Sequence, residues 1–163
     1  MDIRIKKLQE KIKYLETRLE KHLICPIYGV YTRTALEELW EKGKQIEELA
    51  IAFIDIDDLK LHNSKLGQFE TNRILSIVFS NVRKEEIIGR FYYGDELIIL
   101  SDKNHIIKPC QRVMEGLAVY NMSATITIGN YKGEKDLSEA VKEVNDLNQY
   151  YKTIKKATIY NFT

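Results

Sequence analysis

Residues 87–100 restrict what this chain can fold into more than any other stretch. Ile87-Ile88 and Phe91-Tyr92 lead into Tyr93-Gly94-Asp95-Glu96, and Leu97-Ile98-Ile99-Leu100 leads out. Two apolar runs around a tight glycine-containing turn predict a β-hairpin with Asp95 and Glu96 just past its tip. Adjacent carboxylates on a rigid hairpin repel each other unless positive charge sits beside them. A divalent cation meets that need, because Mg²⁺ takes one or two carboxylates together with substrate phosphates. Read alone, the segment is better explained as a solvated Gly-Asp turn. A second acidic cluster shifts the balance.

That cluster closes the run Ala50-Ile51-Ala52-Phe53-Ile54-Asp55-Ile56-Asp57-Asp58. An apolar stretch that ends abruptly in acids predicts a buried central strand whose C-terminal end meets solvent. Alternation puts Asp55 and Asp57 on one face and Ile56 on the other. Two strands that deliver carboxylates to one sheet edge are the framework of a two-metal site for phosphoryl or nucleotidyl transfer. Asp57 and Asp58 are also placed to cap a following helix, which leaves the metal role of Asp55 intact.

The remaining periodicities predict an α/β (α+β) domain with helices flanking a mainly antiparallel sheet. Helices are expected over Arg33–Gly43, from Asn63 to Val82, over Ile107–Val119 and over Leu137–Tyr151. Strands are expected over Leu49–Ile56, Ser123–Asn130 and Ala157–Phe162. The first segment follows a different rule. Ile5, Leu8, Ile12, Leu15 and Leu19 alternate in steps of three and four, with charges filling most positions between. Ile at a and Leu at d favour a parallel two-stranded coiled coil, and Lys11 at g then faces Glu16 at e of the second helix. An amphipathic helix packed on its own domain is the other reading. Pro26 ends the helix or its extension, which divides the chain into a coiled-coil helix, 1–24, and a domain, 25–163.

Charge and cysteine content exclude several classes. The 25 basic residues against 24 acidic ones give a net charge of +1, so no general affinity for nucleic acid is expected. Cys25 and Cys110 lack CxxC spacing, and His22, His62 and His105 share no ligand spacing, so neither zinc nor a disulfide is expected. With no long apolar run and a charged N-terminus, a cytoplasmic chain without membrane association is expected.

These segments together resemble the GGDEF family, the diguanylate cyclases, over about residues 25–160. The signature turn Gly-Gly-Asp-Glu-Phe appears as Tyr93-Gly94-Asp95-Glu96-Leu97. The stretch D-I-D-x-F-K-x-x-N-D-x-x-G-H is matched by residues from Asp55 to Gln68, and D-P-L-T-G-L-Y-N-R by residues from Cys25 to Arg33. Thr125-Ile126-Thr127-Ile128-Gly129 is similar to the strand after the catalytic hairpin. Four segments in order make a specific signal where each alone is weak. The palm domains of CRISPR-associated polymerases, which make adenine-containing cyclic products, are a second resemblance with the same architecture.

The resemblance implies a palm-like cyclase fold working as a homodimer, each subunit holding one nucleoside triphosphate, GTP or another. Joining two of them requires a 3′-hydroxyl to attack an α-phosphate with release of pyrophosphate. Asp55, Asp95 and Glu96, with the Ile56 carbonyl, are the expected ligands of Mg²⁺ or Mn²⁺. Asp95 and Glu96 are the expected catalytic residues, Glu96 completing the metal shell or assisting proton removal. Lys60, Lys152 and Lys156 are expected phosphate contacts, the last two one helical turn apart if the last helix extends that far and similar to the family's A-K-x-x-G-R segment; solvated lysines are an equal alternative for each taken singly. Asn63 matches the guanine-reading Asn, and Gly94 keeps the turn close to the nucleotide.

Departures from the family pattern carry their own expectations. Asn72 replaces a guanine-reading Asp, and an amide offers one acceptor face where a carboxylate offers two. Weaker guanine preference and an admissible adenine follow. Tyr93 replaces the first glycine, where it would crowd the nucleotide or stack on its base. Ser64 and Gln68 replace an Asp and a His, and Cys25 replaces the opening Asp. Arg83-Lys84-Glu85-Glu86 stands where the family has its inhibitory product site R-x-x-D, making Arg83 and Glu86 candidates for it; a surface salt-bridge patch is the plainer reading. Two function classes follow: an active cyclic-dinucleotide synthase, or a catalytically degenerate domain acting as a nucleotide-binding or dimerising signalling module.

Overall fold

The computed structural model describes residues 3–44, 48–92, 94–131 and 135–162. Its elements run α1 (Ile3–Leu23), α2 (Arg33–Gly43), β1 (Leu49–Ile56), α3 (Leu59–Leu66), α4 (Gln68–Arg83) and β2 (Ile87–Arg90), then β3 (Leu97–Asp102), α5 (Ile107–Ala118), β4 (Ala124–Tyr131), α6 (Leu137–Ile154) and β5 (Ile159–Phe162). The five strands lie in the order β2-β3-β1-β4-β5. Neighbours are antiparallel except β4 and β5, which run parallel. This is the mainly antiparallel α+β fold expected.

β1 sits at the centre because both of its faces are apolar. Ala50, Ala52, Ile54 and Ile56 join Leu75, Val78 and Phe79 of α4 and Val113 and Leu117 of α5 in one core. Ile51 and Phe53 join Leu36 and Trp40 of α2 and Val141 and Val144 of α6 in the other. A strand covered on both sides must read as a continuous apolar run, and the run ends where helix cover ends. Asp55 and Asp57 share the parity of Ile51 and Phe53, so the acids emerge on the α6 side. At Gly89 of β2, an added Cβ would lie 2.6 Å from Leu36 Cδ1. Glycine there lets α2 lie directly on the strand.

The helix expected from Asn63 to Val82 is two helices. Gly67, with φ +83° and ψ 151°, ends α3 and starts α4. That conformation is open only to glycine, and it reorients the chain. Leu66 and Phe69, which the periodicity places on the apolar stripe, are turned outward and are 46% and 84% exposed. Asn63 and Asn72 consequently stand on different helices. The hairpin is also wider than a tight turn, since pairing stops at Arg90 opposite Leu97 and residues 91–96 form the connection. Tyr93, expected beside the nucleotide, lies outside the described residues.

α1 buries none of its residues. Ile5, Leu8, Ile12, Leu15 and Leu19 are each at least half exposed, at 50–60%. The seam therefore does not pack on its own domain. Among the described residues no helix is long and apolar enough to cross a membrane.

Candidate active site

The site is built where β1 ends. Beneath it lies Asp57, 2% exposed. Ser123 Oγ and Thr125 Oγ1 each donate to its carboxylate at 2.8 Å, and the Ala157 N–H donates at 3.0 Å. A buried carboxylate so fully partnered is architectural, tying the ends of β1, β4 and the α6–β5 link together. Asp58 follows with φ +51°, turning the chain into α3. It makes no side-chain cap to α3; Lys156 Nζ donates to its Oδ1 at 2.7 Å instead. That hydrogen bond holds the Asp58 carboxyl below its usual range and the Lys156 ammonium above its own.

Asp55 is the carboxylate offered to the cleft, and Lys152 of α6 answers it. Lys152 Nζ lies 2.9 Å from Asp55 Oδ2, 3.3 Å from the Ile56 carbonyl oxygen and 3.7 Å from Asp57 Oδ1. Gln149 Nε2, one turn earlier on α6, donates to Asp55 Oδ2 at 3.4 Å. Lys156 does not continue that helix. α6 stops at Ile154 and Lys155 is extended, so the helix does not extend far enough for a one-turn spacing of the pair, and Lys156 reaches the cleft from the link to β5.

The hairpin connection supplies the opposite wall. Asp95 Oδ1 accepts a hydrogen bond from the hydroxyl of Tyr28. Burial first, and then Asp95 itself, raise the Tyr28 hydroxyl well above the ordinary tyrosine value, so it stays a donor at neutral pH. Arg90 Nε donates to the Gly94 carbonyl at 2.7 Å. A Cβ at Gly94 would run into the Glu96 carboxylate, which folds back over it.

These walls enclose an open cleft of about 580 Å³ lined by Asp55, Ile56, Asp58, Leu59, Lys60, Leu61, Gly94, Asp95, Glu96, Lys152 and Lys156. Residues singled out in three separate sequence segments thus line one cleft. Asn63 lies one turn beyond Leu59 on α3, outside that lining, and its Oδ1 is buried without a hydrogen-bond partner. Asn72 is half-buried on α4, also outside the lining. Arg83 and Glu86 face different neighbours. Arg83 stacks over Tyr31 at 5.8 Å with its Nε buried and unpartnered, while Glu86 accepts from Arg112 of α5 at 3.0 Å. Tyr28, Gln149 and the Ser123–Thr125 pair carry no sequence signal for a role here, since each acts across a long chain separation.

The donors fit a divalent cation. Among the described residues no three His, Cys, Asp or Glu side chains are grouped so as to hold a metal by themselves. Mg²⁺ does not require that, since it binds through one or two carboxylates and completes its shell with water and phosphate oxygens. Asp55 and the Ile56 carbonyl already converge on one cationic atom, the Lys152 ammonium. A hard oxygen donor set that gathers a cation suits Mg²⁺ or Mn²⁺ in kind.

Comparison with known proteins bears on the family and the fold. Diguanylate cyclase DgcP of Pseudomonas aeruginosa is 30% identical over 96 residues, 53% of this chain but only 14% of that protein. The chain thus spans a small part of that relative's length. The coiled coil and GGDEF domain of DgcB from Caulobacter crescentus, solved in complex with c-di-GMP, has a TM-score of 0.81 at 10% identity, covering 98% of this chain and 95% of that one. Diguanylate cyclase SiaD of P. aeruginosa, solved with its activator SiaC, has a TM-score of 0.77 at 16% identity, covering 98% and 70%. At those identities the likeness speaks for the fold. Residues 30–157 match the family model for "Diguanylate cyclase, GGDEF domain", and with most of its length matched the chain belongs to the GGDEF domain family.

Proposed function

We propose that this chain is a nucleotidyltransferase that condenses two nucleoside triphosphates, GTP or ATP, into a cyclic dinucleotide such as cyclic di-GMP or an adenine-containing analogue. Pyrophosphate is the leaving group. The observation that most supports this reading is the convergence of Asp55 and the Ile56 carbonyl on one cationic atom, in the cleft that Asp95 and Glu96 also line.

Asp55, the Ile56 carbonyl, Asp95 and Glu96 are the groups that would hold Mg²⁺ or Mn²⁺. When bound, the ion supplies charge neutralisation at phosphorus and acidifies the attacking 3′-hydroxyl. The protein's own part is largely positioning. Lys60, Lys152 and Lys156 converge on the triphosphate, the last two by exchanging their carboxylate partners for phosphate oxygens. Glu96 completes the metal shell or accepts the proton that leaves the hydroxyl. Asn63, whose buried Oδ1 lacks a partner, and Asn72 read the base edge. Two half-sites are required, and the exposed seam of α1 brings two copies together as a coiled coil. Arg83 and Glu86 form a product-binding pair only if Glu86 leaves Arg112.

Purified protein incubated with Mg²⁺ and each of the four ribonucleoside triphosphates, with products read by mass spectrometry, tests the proposal. A cyclic dinucleotide with pyrophosphate is the expected result. Nucleotide retained without turnover would support the alternative, a degenerate binding or dimerising module.

A further inference from the structure

Tyr28 is 1% exposed, yet its hydroxyl ends on Asp95 Oδ1. It comes from the link between α1 and α2 rather than from the sheet. Its ring packs edge-on against Phe79 of α4 at 5.9 Å, and the Arg90 guanidinium lies 5.4 Å from its centroid. Arg90 also donates to the Gly94 carbonyl. The acidic turn is therefore gripped twice, through its backbone by Arg90 and through its carboxylate by Tyr28.

The link that carries Tyr28 is itself tightly closed. Cys25 N–H donates to the Val30 carbonyl at 2.7 Å, and Gly29 N–H to the Cys25 carbonyl at 2.9 Å, with Gly29 at φ +64°. Thr32 N–H donates to the Leu23 carbonyl at 2.8 Å, joining the link to the last turn of α1. A buried phenol on such a support cannot turn away from Asp95 without breaking its packing.

We infer that Tyr28 is a positioning residue for Asp95, its hydroxyl setting the direction in which that carboxylate faces the cation and the phosphates. This rests on the site reading above. Outer groups that orient a metal-binding side chain typically contribute about 10–100-fold in metal affinity or activity.

Tyr28→Phe keeps the ring and its packing and deletes only the hydroxyl. Mn²⁺ binding, read by electron paramagnetic resonance with a non-reacting triphosphate analogue present, should weaken by about tenfold. The Mg²⁺ concentration for half-maximal turnover should rise, with the unfolding temperature close to wild type. Trp40→Phe, in the other core and away from Tyr28, serves as the contrast: it lowers stability and leaves Mn²⁺ affinity unchanged. If Tyr28→Phe binds Mn²⁺ as wild type does while Asp95→Asn loses it, the positioning role is overturned and the site reading stands. If the wild-type chain itself holds no Mn²⁺ with the analogue, both fall together.

Discussion

Asp55 is the penultimate residue of β1 and Asp57 lies just beyond the strand's end, and replacing each should fail in opposite ways. Asp57→Ala removes the acceptor of three hydrogen bonds, from Ser123, Thr125 and the Ala157 N–H. Hydrogen bonds to a charged group contribute about 1.5–3 kcal/mol each, which is roughly 5–9 kcal/mol for three. Relief from burying the carboxylate returns several kcal/mol of that. The two hydroxyls can rotate toward other acceptors, whereas the Ala157 N–H is fixed by the backbone. The net loss should be about 3–5 kcal/mol, the range for removing one partner from a buried ionic cluster. In a domain of this size that lowers Tm by about 10 °C. Asp57→Asn keeps one oxygen for Ser123 and Ala157 while Thr125 turns to accept, so it should cost about 1–2 kcal/mol. Asp55 and Lys152, with side chains 21% and 19% exposed, form a partly buried pair, but an asparagine keeps an oxygen for Lys152, so the loss should be about 1 kcal/mol. Asp55→Asn should therefore unfold almost as wild type does, yet lose turnover. Urea unfolding at pH 7 and the product assay on the same preparations separate the two roles. An Asp57→Ala protein within about 1 kcal/mol of wild type, or an Asp55→Asn protein less stable than Asp57→Asn, would refute the division.

Deleting residues 1–22 removes the exposed seam of α1; sedimentation should show monomer, and turnover should fall as the half-sites lose effective concentration. Equal dimerisation and turnover in the truncated domain would give the helix another purpose. Asn72→Asp should raise the preference for GTP over ATP, read as the ratio of the two kcat/KM values, because a carboxylate accepts from two guanine donors where an amide accepts from one. An unmoved ratio, in a wild type that already excludes ATP, would take Asn72 away from the base.

What could be read from the sequence divides along the range of the interactions involved. β1 was legible over its full extent, Leu49–Ile56, because a strand covered on both faces leaves an uninterrupted apolar run ended by acids. The same acids announced the cleft. The break at Gly67 was hidden because apolar residues continue at helical spacing through it, so period alone bridges the gap. Its one local signal was the glycine itself. The spacing of Lys152 and Lys156 allows one helical turn between them only if the last helix runs on, and nothing nearby marks Asp58, far away in the chain, as the partner of Lys156. Nothing near Tyr28 marks it as a neighbour of Asp95, since only the closure of the opening link and the packing on Phe79 bring the two together. Asp57 read as one more acid of the cluster; Ser123 and Thr125, which make it structural, come from β4 and the link before it.

The charges lining the cleft dictate how its ligands arrive. Four carboxylates, Asp55, Asp58, Asp95 and Glu96, face three ammonium groups, Lys60, Lys152 and Lys156. Lys152 is paired with Asp55 and Lys156 with Asp58, so the cleft has little positive charge to offer an incoming triphosphate. If Lys152 and Lys156 turn to phosphate, Asp55 and Asp58 are left unpaired beside several new negative charges, an arrangement opposed by repulsion in a partly desolvated site. A divalent cation taking the place of the Lys152 ammonium at Asp55 removes that opposition. Metal and nucleotide should therefore each strengthen the binding of the other by the same factor, as linkage requires. Couplings of this kind typically amount to about 5–150-fold. Calorimetric titration of a non-reacting triphosphate analogue should show affinity at least about tenfold weaker in EDTA than in Mg²⁺, after correction for the metal–nucleotide complex formed in solution. Lys152→Met should reduce the coupling, since Asp55 then waits unpaired and takes Mn²⁺ more tightly before any nucleotide is present. Equal analogue affinity with and without metal would mean that the lysines alone neutralise the triphosphate, and the exchange at Asp55 would have no place in the mechanism.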